Sequence, residues 1–154
     1  MRQALALGAV LVVAAAGSGA ASAARAAAGP AQVVRAWSAA LNANRNEEAA
    51  ALFAPNAEVI DGTVDVHLTS HRLALAFNQS LPCAGKIVSI EVHRDAAVAV
   101  FVLGHRPGHT CDGPGDKAAA LFVVRGGKII AWERVQVPTK AKPKKKPKPK
   151  GPTA

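Results

Sequence analysis

The stretch Trp37–Asp61, WSAALNANRNEEAAALFAPNAEVID, decides the fold, because it combines the end of one helix, a second short helix and the start of a sheet. Apolar side chains recur at the spacing of one helix face, at Val34, Trp37 and Leu41. Proline suits the first turn of a helix, so this first helix is predicted to begin at Pro30.

The middle of this stretch predicts a short helix followed by a strand. Asparagines interrupt the helical spacing, and Asn46 can cap the second helix. This helix is expected to bury Phe53 and to end before Pro55, since proline disrupts a helix interior. Residues 58–60 then predict a strand that leads into Asp61.

The remainder of the chain predicts one more helix and five more strands. Residues 63–67 alternate like a strand, and Thr69 or Ser70 can cap a third helix. The predicted apolar stripe of that helix consists of Leu73, Phe77 and Leu81. Two hairpins follow, with strands at 86–93, 96–103, 117–124 and 128–137. This order predicts an α+β domain in which three helices of the N-terminal half pack on one strongly curved antiparallel sheet.

Three segments resemble the nuclear transport factor 2-like superfamily, a group of small cone-shaped α+β domains. They are AALNA after the first helix, then ALFAPNAEVID, and FVVRGGKIIAWERV near the end. The resemblance covers residues 30–137. The superfamily includes steroid isomerases, polyketide cyclases, dehydratases and proteins that only bind ligands or partners. The resemblance therefore implies a fold with an open-ended pocket, but no single chemistry.

The isomerase-like members of the superfamily imply a role for one carboxylate. Asp61 occupies the place of the general-base aspartate in their AxVxD segment. Trp37 stands where those proteins have a tyrosine that donates to the enolate oxygen, and Ala120 where they have a protonated acid. An indole N–H can donate a hydrogen bond but does not act as an acid. Because two of the three catalytic groups are missing, no steroid-isomerase mechanism is expected.

The candidate ligand-binding residues are Trp37, Asp61, Phe77 and Trp132. The resemblance places both tryptophans near the cavity wall, where their flat side chains can stack on a small apolar or planar molecule. Filling the core is the alternative role for them. Asp61 is either the polar handle of this pocket or a turn residue before Gly62.

The histidines add one candidate catalytic residue and no metal site. His67 could partner Asp61 as an acid/base pair, or lie on the surface. His105 and His109 lie near Cys111, but a disulfide would remove that cysteine from a metal site. We therefore predict no metal and no cofactor.

Basic charge is concentrated in a C-terminal tail. Residues 29–137 hold 10 Lys and Arg and all 10 Asp and Glu, whereas seven lysines follow Val137 in a chain of net charge +9. Residues 138–154, PTKAKPKKKPKPKGPTA, are predicted to be a disordered basic tail. Such a tail can bind an anionic polymer or a membrane surface, or serve as a solvated spacer.

The N-terminus predicts export. Arg2 precedes an apolar run at 4–16, and small residues then offer a cleavage site. We predict a signal peptide at residues 1–23, with cleavage as late as residue 28 as the alternative. The protein is then expected to be secreted or associated with the cell envelope.

The two cysteines are expected to form a disulfide in such a compartment. Between Cys83 and Cys111 lies a predicted hairpin that turns at Arg94 and Asp95. Folding this hairpin brings its two ends together, as a bridge requires. Two separate buried thiols are the alternative.

Three functions remain open from the sequence. The leading one is an exported small-molecule-binding domain with an apolar pocket, tethered by its tail to an anionic surface. The second, less favoured, is an isomerase, cyclase or dehydratase-type enzyme that uses Asp61 as general base. The third is a homodimeric interaction module that pairs through the open face of its sheet.

Overall fold

The computed structural model describes residues 27–139. The predicted signal peptide lies outside this part, as does the basic tail from residue 140 onward. The described elements are α1 (Pro30–Asn42), α2 (Asn46–Ala50), β1 (Phe53–Asp61), β2 (Val64–Leu68), α3 (His71–Ser80), β3 (Ala84–His93), β4 (Ala96–Gly104), β5 (Lys117–Arg125) and β6 (Lys128–Val135). Within residues 27–139, none of the helices has the length and apolar character needed to cross a membrane.

The six strands form one curved sheet in the order β2-β1-β6-β5-β4-β3, and the three helices pack on it. The predicted α+β class and arrangement are confirmed. Neighbouring strands are antiparallel except β1 and β6, which are parallel. The sheet is therefore mostly antiparallel, with one parallel pair that joins its N-terminal hairpin to the four C-terminal strands.

Helix α1 begins at Pro30, as predicted, and the Gln32 side chain accepts a hydrogen bond from the Gly29 backbone N–H at 3.2 Å. Val34, Trp37 and Leu41 are buried on the face that contacts β3, β4 and β5. The apolar spacing in the sequence thus identified the buried face of this helix correctly.

The boundary between α2 and β1 differs from the prediction. Arg45 rather than Asn46 occupies the N-cap position of α2, without a capping side-chain hydrogen bond, and the helix ends at Ala50. Phe53 begins β1 instead of closing the helix, and the pairing of β1 with β6 is irregular between Phe53 and Glu58. Pro55 lies within that irregular segment, where a proline does not interrupt the hydrogen-bonded ladder. The strand is therefore longer than the sequence indicated.

Helix α3 begins at its predicted cap, Ser70, whose hydroxyl accepts from the Leu73 backbone N–H at 3.3 Å. The buried residues of this helix are Ala74 and Asn78, whereas Leu73 is 45% exposed. The predicted stripe was wrong at Leu73 because a buried asparagine, not a leucine, lies at the centre of the inner face. Phe77 is partly buried beside it.

Both predicted hairpins are present. Arg94, with φ of 55°, lies in the turn between β3 and β4, and Gly126 and Gly127, with φ of 56° and 76°, form the turn between β5 and β6. A left-handed backbone is unstrained for glycine, so the Gly-Gly pair sets this second turn.

The predicted disulfide between Cys83 and Cys111 is present, with 4.5 Å between the two Cα atoms. It joins the chain entering β3 to the loop that follows β4. The two cysteines are 28 residues apart in sequence. Closing a loop of this length stabilises a fold by about 3–4 kcal/mol when chain entropy alone is considered.

Candidate functional site

A cavity of about 110 Å³ lies between α1, the α3–β3 connection and strands β4, β5 and β6. Its walls are mostly apolar, and the larger side chains among them are Trp37, Leu41, Leu81, Phe101, Leu103 and Trp132. None of its lining residues in the described chain is an aspartate, glutamate or histidine. The cavity therefore offers apolar contact and no lining acid or base for proton transfer.

Trp37 is held in the cavity wall by a buried hydrogen bond. Its indole Nε1 donates to Asn78 Oδ1 at 2.8 Å, and the Asn78 amide donates in turn to the Ala74 carbonyl at 2.7 Å. The Trp37 ring meets the Phe122 ring edge-on, with 5.2 Å between centroids. Because its single donor is already used, Trp37 contributes a flat apolar surface to the cavity.

The other polar groups near Trp37 fasten α1 to β3. Ser38 Oγ donates to the Gly85 carbonyl at 3.1 Å, and the Asn42 amide donates to the same carbonyl at 3.0 Å. Asn42 Oδ1 also accepts from the Gly85 N–H at 2.8 Å. A Cβ at Gly85 would lie 2.9 Å from Phe101 Cδ1, so only glycine permits this close approach.

Trp132 lines the same cavity from β6 and is 4% exposed. Its ring meets the Phe77 ring edge-on, with 5.2 Å between centroids. Within residues 27–139, the indole Nε1 of Trp132 is buried and has no hydrogen-bond partner. The two predicted tryptophans are thus brought together in one cavity, but only one of them keeps an unused donor.

Phe77 packs against the cavity-lining residue Trp132. It does not line the cavity, and its ring contacts those of Phe53, at 5.7 Å, and Trp132, at 5.2 Å between centroids. The structure therefore gives Phe77 a packing position beside a predicted ligand-binding residue.

Asp61 forms a two-point ion pair with Arg134 at the edge of the cavity. Arg134 Nε lies 2.6 Å from Asp61 Oδ1, and Arg134 Nη2 donates to Asp61 Oδ2 at 2.8 Å. Arg134 lines the cavity, whereas Asp61 does not. Both oxygens of the predicted general base are engaged with a guanidinium group. Sequence reasoning missed Arg134, because 73 residues separate it from Asp61 and only the β1–β6 register makes them neighbours.

His67 lies on the opposite face of the β1–β2 hairpin from Asp61. In the β1–β2 register, His67 lies opposite Glu58, and Asp61 lies opposite Val64. Because side chains alternate between the two faces of a sheet, His67 and Asp61 point to different faces. The structure does not bring Asp61 and His67 together as an acid/base pair.

The outer face of this hairpin gathers Glu58, Asp65 and His67. One potential ligand atom from each lies within 4.8 Å of the other two. These residue types bind divalent cations in many proteins. However, exposed side chains often gather in this way without an ion, so this cluster by itself does not define a metal site.

Arg106 is a second residue that sequence reasoning missed, since an arginine in a Gly/Pro-rich loop is expected on the surface. It is 3% exposed, and burial lowers its pKa below the ordinary value. Its guanidinium donates to the Asn78 carbonyl and to Asn46 Oδ1, both at 3.2 Å, and lies 3.1 Å from His109 Nε2. Arg106 therefore ties the loop after β4 to α2 and α3. It does not line the cavity.

Comparison with known proteins supports the fold. No protein-family model matches the sequence, and no protein of curated function matches it. Among solved structures, a proposed polyketide cyclase from Sinorhizobium meliloti is 19% identical, with a TM-score of 0.55 over 67% of this chain and 93% of that one.

Two further neighbours show the same architecture. A protein from Catenulispora acidiphila with a ketosteroid isomerase-like fold, solved with trimethylamine, is 19% identical, with a TM-score of 0.55 over 70% of this chain and 86% of its own. A nuclear transport factor 2-like protein of unknown function from Burkholderia pseudomallei is 14% identical, with a TM-score of 0.54 over 68% of this chain and 88% of its own. The chain therefore has the nuclear transport factor 2-like fold that its sequence predicted.

Proposed function

We propose that this protein is an exported small-molecule-binding domain whose cavity takes a single-ring molecule, or one end of a larger one. The observation that carries this proposal is the apolar cavity beneath α1, with Trp37 and Trp132 in its walls. Its volume of about 110 Å³ approaches that of an engineered apolar cavity of about 150 Å³ that binds benzene. Drug-sized ligands usually need about 300–1,000 Å³.

Binding accounts for the cavity better than catalysis does. An isomerase or cyclase needs a proton acceptor within reach of its substrate. Asp61, the carboxylate that the sequence nominated, lies outside the lining and is paired with Arg134 through both oxygens. The neighbours in fold include a proposed polyketide cyclase and a protein solved with a small amine. A ligand-binding role for the shared fold is compatible with both.

The test is a panel of single-ring compounds applied to a matched pair of variants. Ala118 lines the cavity, whereas Ala131 lies in β6 outside the lining. Ala118→Leu should fill the cavity and abolish binding, while Ala131→Leu should retain it. Thermal shift and tryptophan fluorescence would measure both. Binding that survives in Ala118→Leu, or no binding to the wild-type protein, would contradict the proposal.

Export and surface tethering belong to the same proposal. The disulfide between Cys83 and Cys111 is compatible with an oxidising compartment outside the cytosol. Seven lysines follow a segment, residues 29–137, in which acidic and basic residues balance. The tail would then hold the binding domain near an anionic surface. Deletion of residues 139–154 should release the protein from anionic vesicles at low salt, and unchanged retention would refute the tether.

The outer sheet face favours a homodimer as a second candidate. Val98 pairs with Leu121 in register, and Val123 follows Leu121 on the same face, opposite the one that packs on the helices. An apolar sheet face of this kind can be covered by a second copy of the chain. Leu121→Lys should convert a dimer to a monomer in light scattering, and a wild-type monomer at high concentration would exclude this candidate.

A further inference from the structure

The cavity opens at one end of the sheet, which we call the mouth end. The mouth end comprises the last residues of β1, β4 and β6, the first residues of β2, β3 and β5, and the loops that join them. Among the lining residues, exposure rises toward this end, from buried Trp132 to exposed Arg134 in β6 and from buried Ala120 to partly exposed Ala118 in β5. The lining residues of β3 and β4 show the same trend.

The basic tail leaves the domain at this same end. Val135, the last residue of β6, pairs with Ala119, which lines the cavity. The described chain continues to Thr139, and five of the seven tail lysines fall within the next seven residues of the sequence. The described chain begins at the opposite end, where a Cβ added to Gly127 in the β5–β6 turn would lie 3.5 Å from Ala28 N. The tail therefore adds its positive charge beside the mouth of the cavity.

The tail also decides the sign of the charge at the mouth end. In the two residues of each strand nearest this end and in the adjoining loops, the basic residues are Arg106, Lys117 and Arg134, and the acidic residues are Asp61, Asp65, Asp112 and Asp116. The described part of the mouth end thus has no excess of positive charge, and attraction to an anionic partner depends on the seven lysines that follow.

An exposed apolar edge accompanies this charge. Val64, the first residue of β2, is 56% exposed, and Val66 is 42% exposed on the same face of the strand. Val64 lies opposite Asp61 in the register, at the edge of the sheet next to the mouth. A bilayer interface accepts apolar side chains and attracts basic segments to its anionic headgroups. A nucleic acid attracts the lysines through its phosphates, but that attraction gains nothing from exposed valines.

We infer that the mouth end docks on an anionic lipid bilayer and that the cavity takes its ligand directly from that bilayer. The tail supplies the electrostatic attraction, and Val64 supplies apolar contact. The ligand class is a bilayer-soluble molecule with a single ring or chain end that fits a cavity of about 110 Å³. This inference rests on the proposed binding function and on the proposed tether. An apolar ligand that passes from lipid to cavity avoids the cost of entering water.

The first test measures which end of the domain faces the lipid. A fluorescent amino acid replaces either Thr63, exposed at the mouth end, or His93, exposed at the opposite end. Vesicles of phosphatidylcholine and phosphatidylglycerol carry a nitroxide quencher on their headgroups. Most of the fluorescence at position 63 should be lost, most of that at position 93 should remain, and deletion of residues 139–154 should abolish the loss. Equal quenching at both positions, or stronger quenching at position 93, would overturn the docking and leave the tether intact.

The second test compares two exposed valines at opposite ends. Val64→Ser removes apolar surface from the mouth end, and Val92→Ser is the matched control, since Val92 is 45% exposed near the end of β3. Val64→Ser should weaken binding to the anionic vesicles by about fivefold, whereas Val92→Ser should leave it unchanged. An unchanged affinity in Val64→Ser would mean that charge alone attracts the partner, as for a nucleic acid or another soluble polyanion, and would overturn the choice of a bilayer.

The third test measures uptake from the bilayer. Vesicles are loaded with 1-bromo-4-dodecylbenzene, a compound that is nearly insoluble in water and whose bromine quenches tryptophan fluorescence. Quenching of Trp37 and Trp132, both buried in the cavity wall, should be slower after deletion of residues 139–154 and absent in Ala118→Leu. A rate that does not depend on the tail, or no quenching in the wild-type protein, would overturn uptake from the bilayer. The panel of single-ring compounds, measured without vesicles, tests the binding function separately.

Discussion

Trp37 and Trp132 line one cavity, but within residues 27–139 only the Trp37 indole N–H has a hydrogen-bond partner. The hydrogen-bonding capacity of the Trp37 indole is fully used, since its N–H donates to Asn78, whose amide donates in turn to the Ala74 carbonyl. The Trp132 ring packs against Phe77, and within residues 27–139 its indole nitrogen has no hydrogen-bond partner. A side chain that fastens two elements uses its polar atoms, whereas Trp132 contributes ring packing and pairs no side-chain polar atom within residues 27–139.

Removing the disulfide should have the largest effect, because it loosens the wall that both tryptophans share. Cys83 lines the cavity and is bonded to Cys111. We expect the double variant Cys83→Ala/Cys111→Ala to lose about 3–4 kcal/mol of unfolding free energy, measured by urea denaturation. Reduction of the wild-type protein should give a similar loss. A midpoint that does not change in either experiment would show that the bridge adds no stability.

Substitution of Asn78 should make the two tryptophans alike. Asn78→Leu leaves the Trp37 donor buried and unpaired, so we expect a loss of about 2–3 kcal/mol of unfolding free energy. In a Trp37→Phe background the same substitution should cost at least about 1 kcal/mol less, because no donor is left behind. Equal costs in the two backgrounds would mean that the hydrogen bond does not stabilise the fold.

The two tryptophans should respond differently to the same substitution. Trp37→Phe loses ring contacts and also leaves Asn78 Oδ1 without its donor, whereas Trp132→Phe breaks no hydrogen bond in the part of the chain that the structure describes. We expect Trp132→Phe to lower the unfolding free energy by about 1 kcal/mol less than Trp37→Phe does. Urea denaturation of both variants in parallel measures the difference, and the reverse order would contradict the comparison.

The smallest effect is expected at the edge of the cavity. Asp61 and Arg134 form an ion pair whose side chains are 35% and 50% exposed. Asp61→Asn should change the unfolding free energy by less than about 1 kcal/mol and ligand affinity by less than about twofold, since water and salt screen such pairs. A large loss of affinity would instead restore Asp61 as the polar handle of the cavity.

Much of the fold could be predicted because it is encoded locally. The buried face of α1 follows from helical spacing, the β5–β6 turn from two adjacent glycines, and the disulfide from the ends of one hairpin. The start of β1 is not local. The Ile129 N–H donates to the Leu52 carbonyl at 2.8 Å, so pairing with β6 extends the strand back to residues that resemble a helix end.

The candidate site could be predicted only in part. Both tryptophans were identified as cavity residues, since large aromatic side chains near the wall follow from the resemblance in sequence. The sequence could not predict which indole N–H is hydrogen-bonded. The partner of Trp37 is Asn78, a polar residue 41 positions away that local spacing places on the surface. The pairing of Asp61 with Arg134 depends likewise on strand register.

The most direct test of the cavity that the two tryptophans share is a proton–nitrogen correlation spectrum of their indole groups, recorded with and without cyclohexanone, a single-ring compound. Loss of one resonance in Trp37→Phe and of the other in Trp132→Phe assigns them. We predict that saturation with the ketone shifts both indole resonances, because both rings line the cavity. No movement of either resonance at the solubility limit of the ketone would contradict the account.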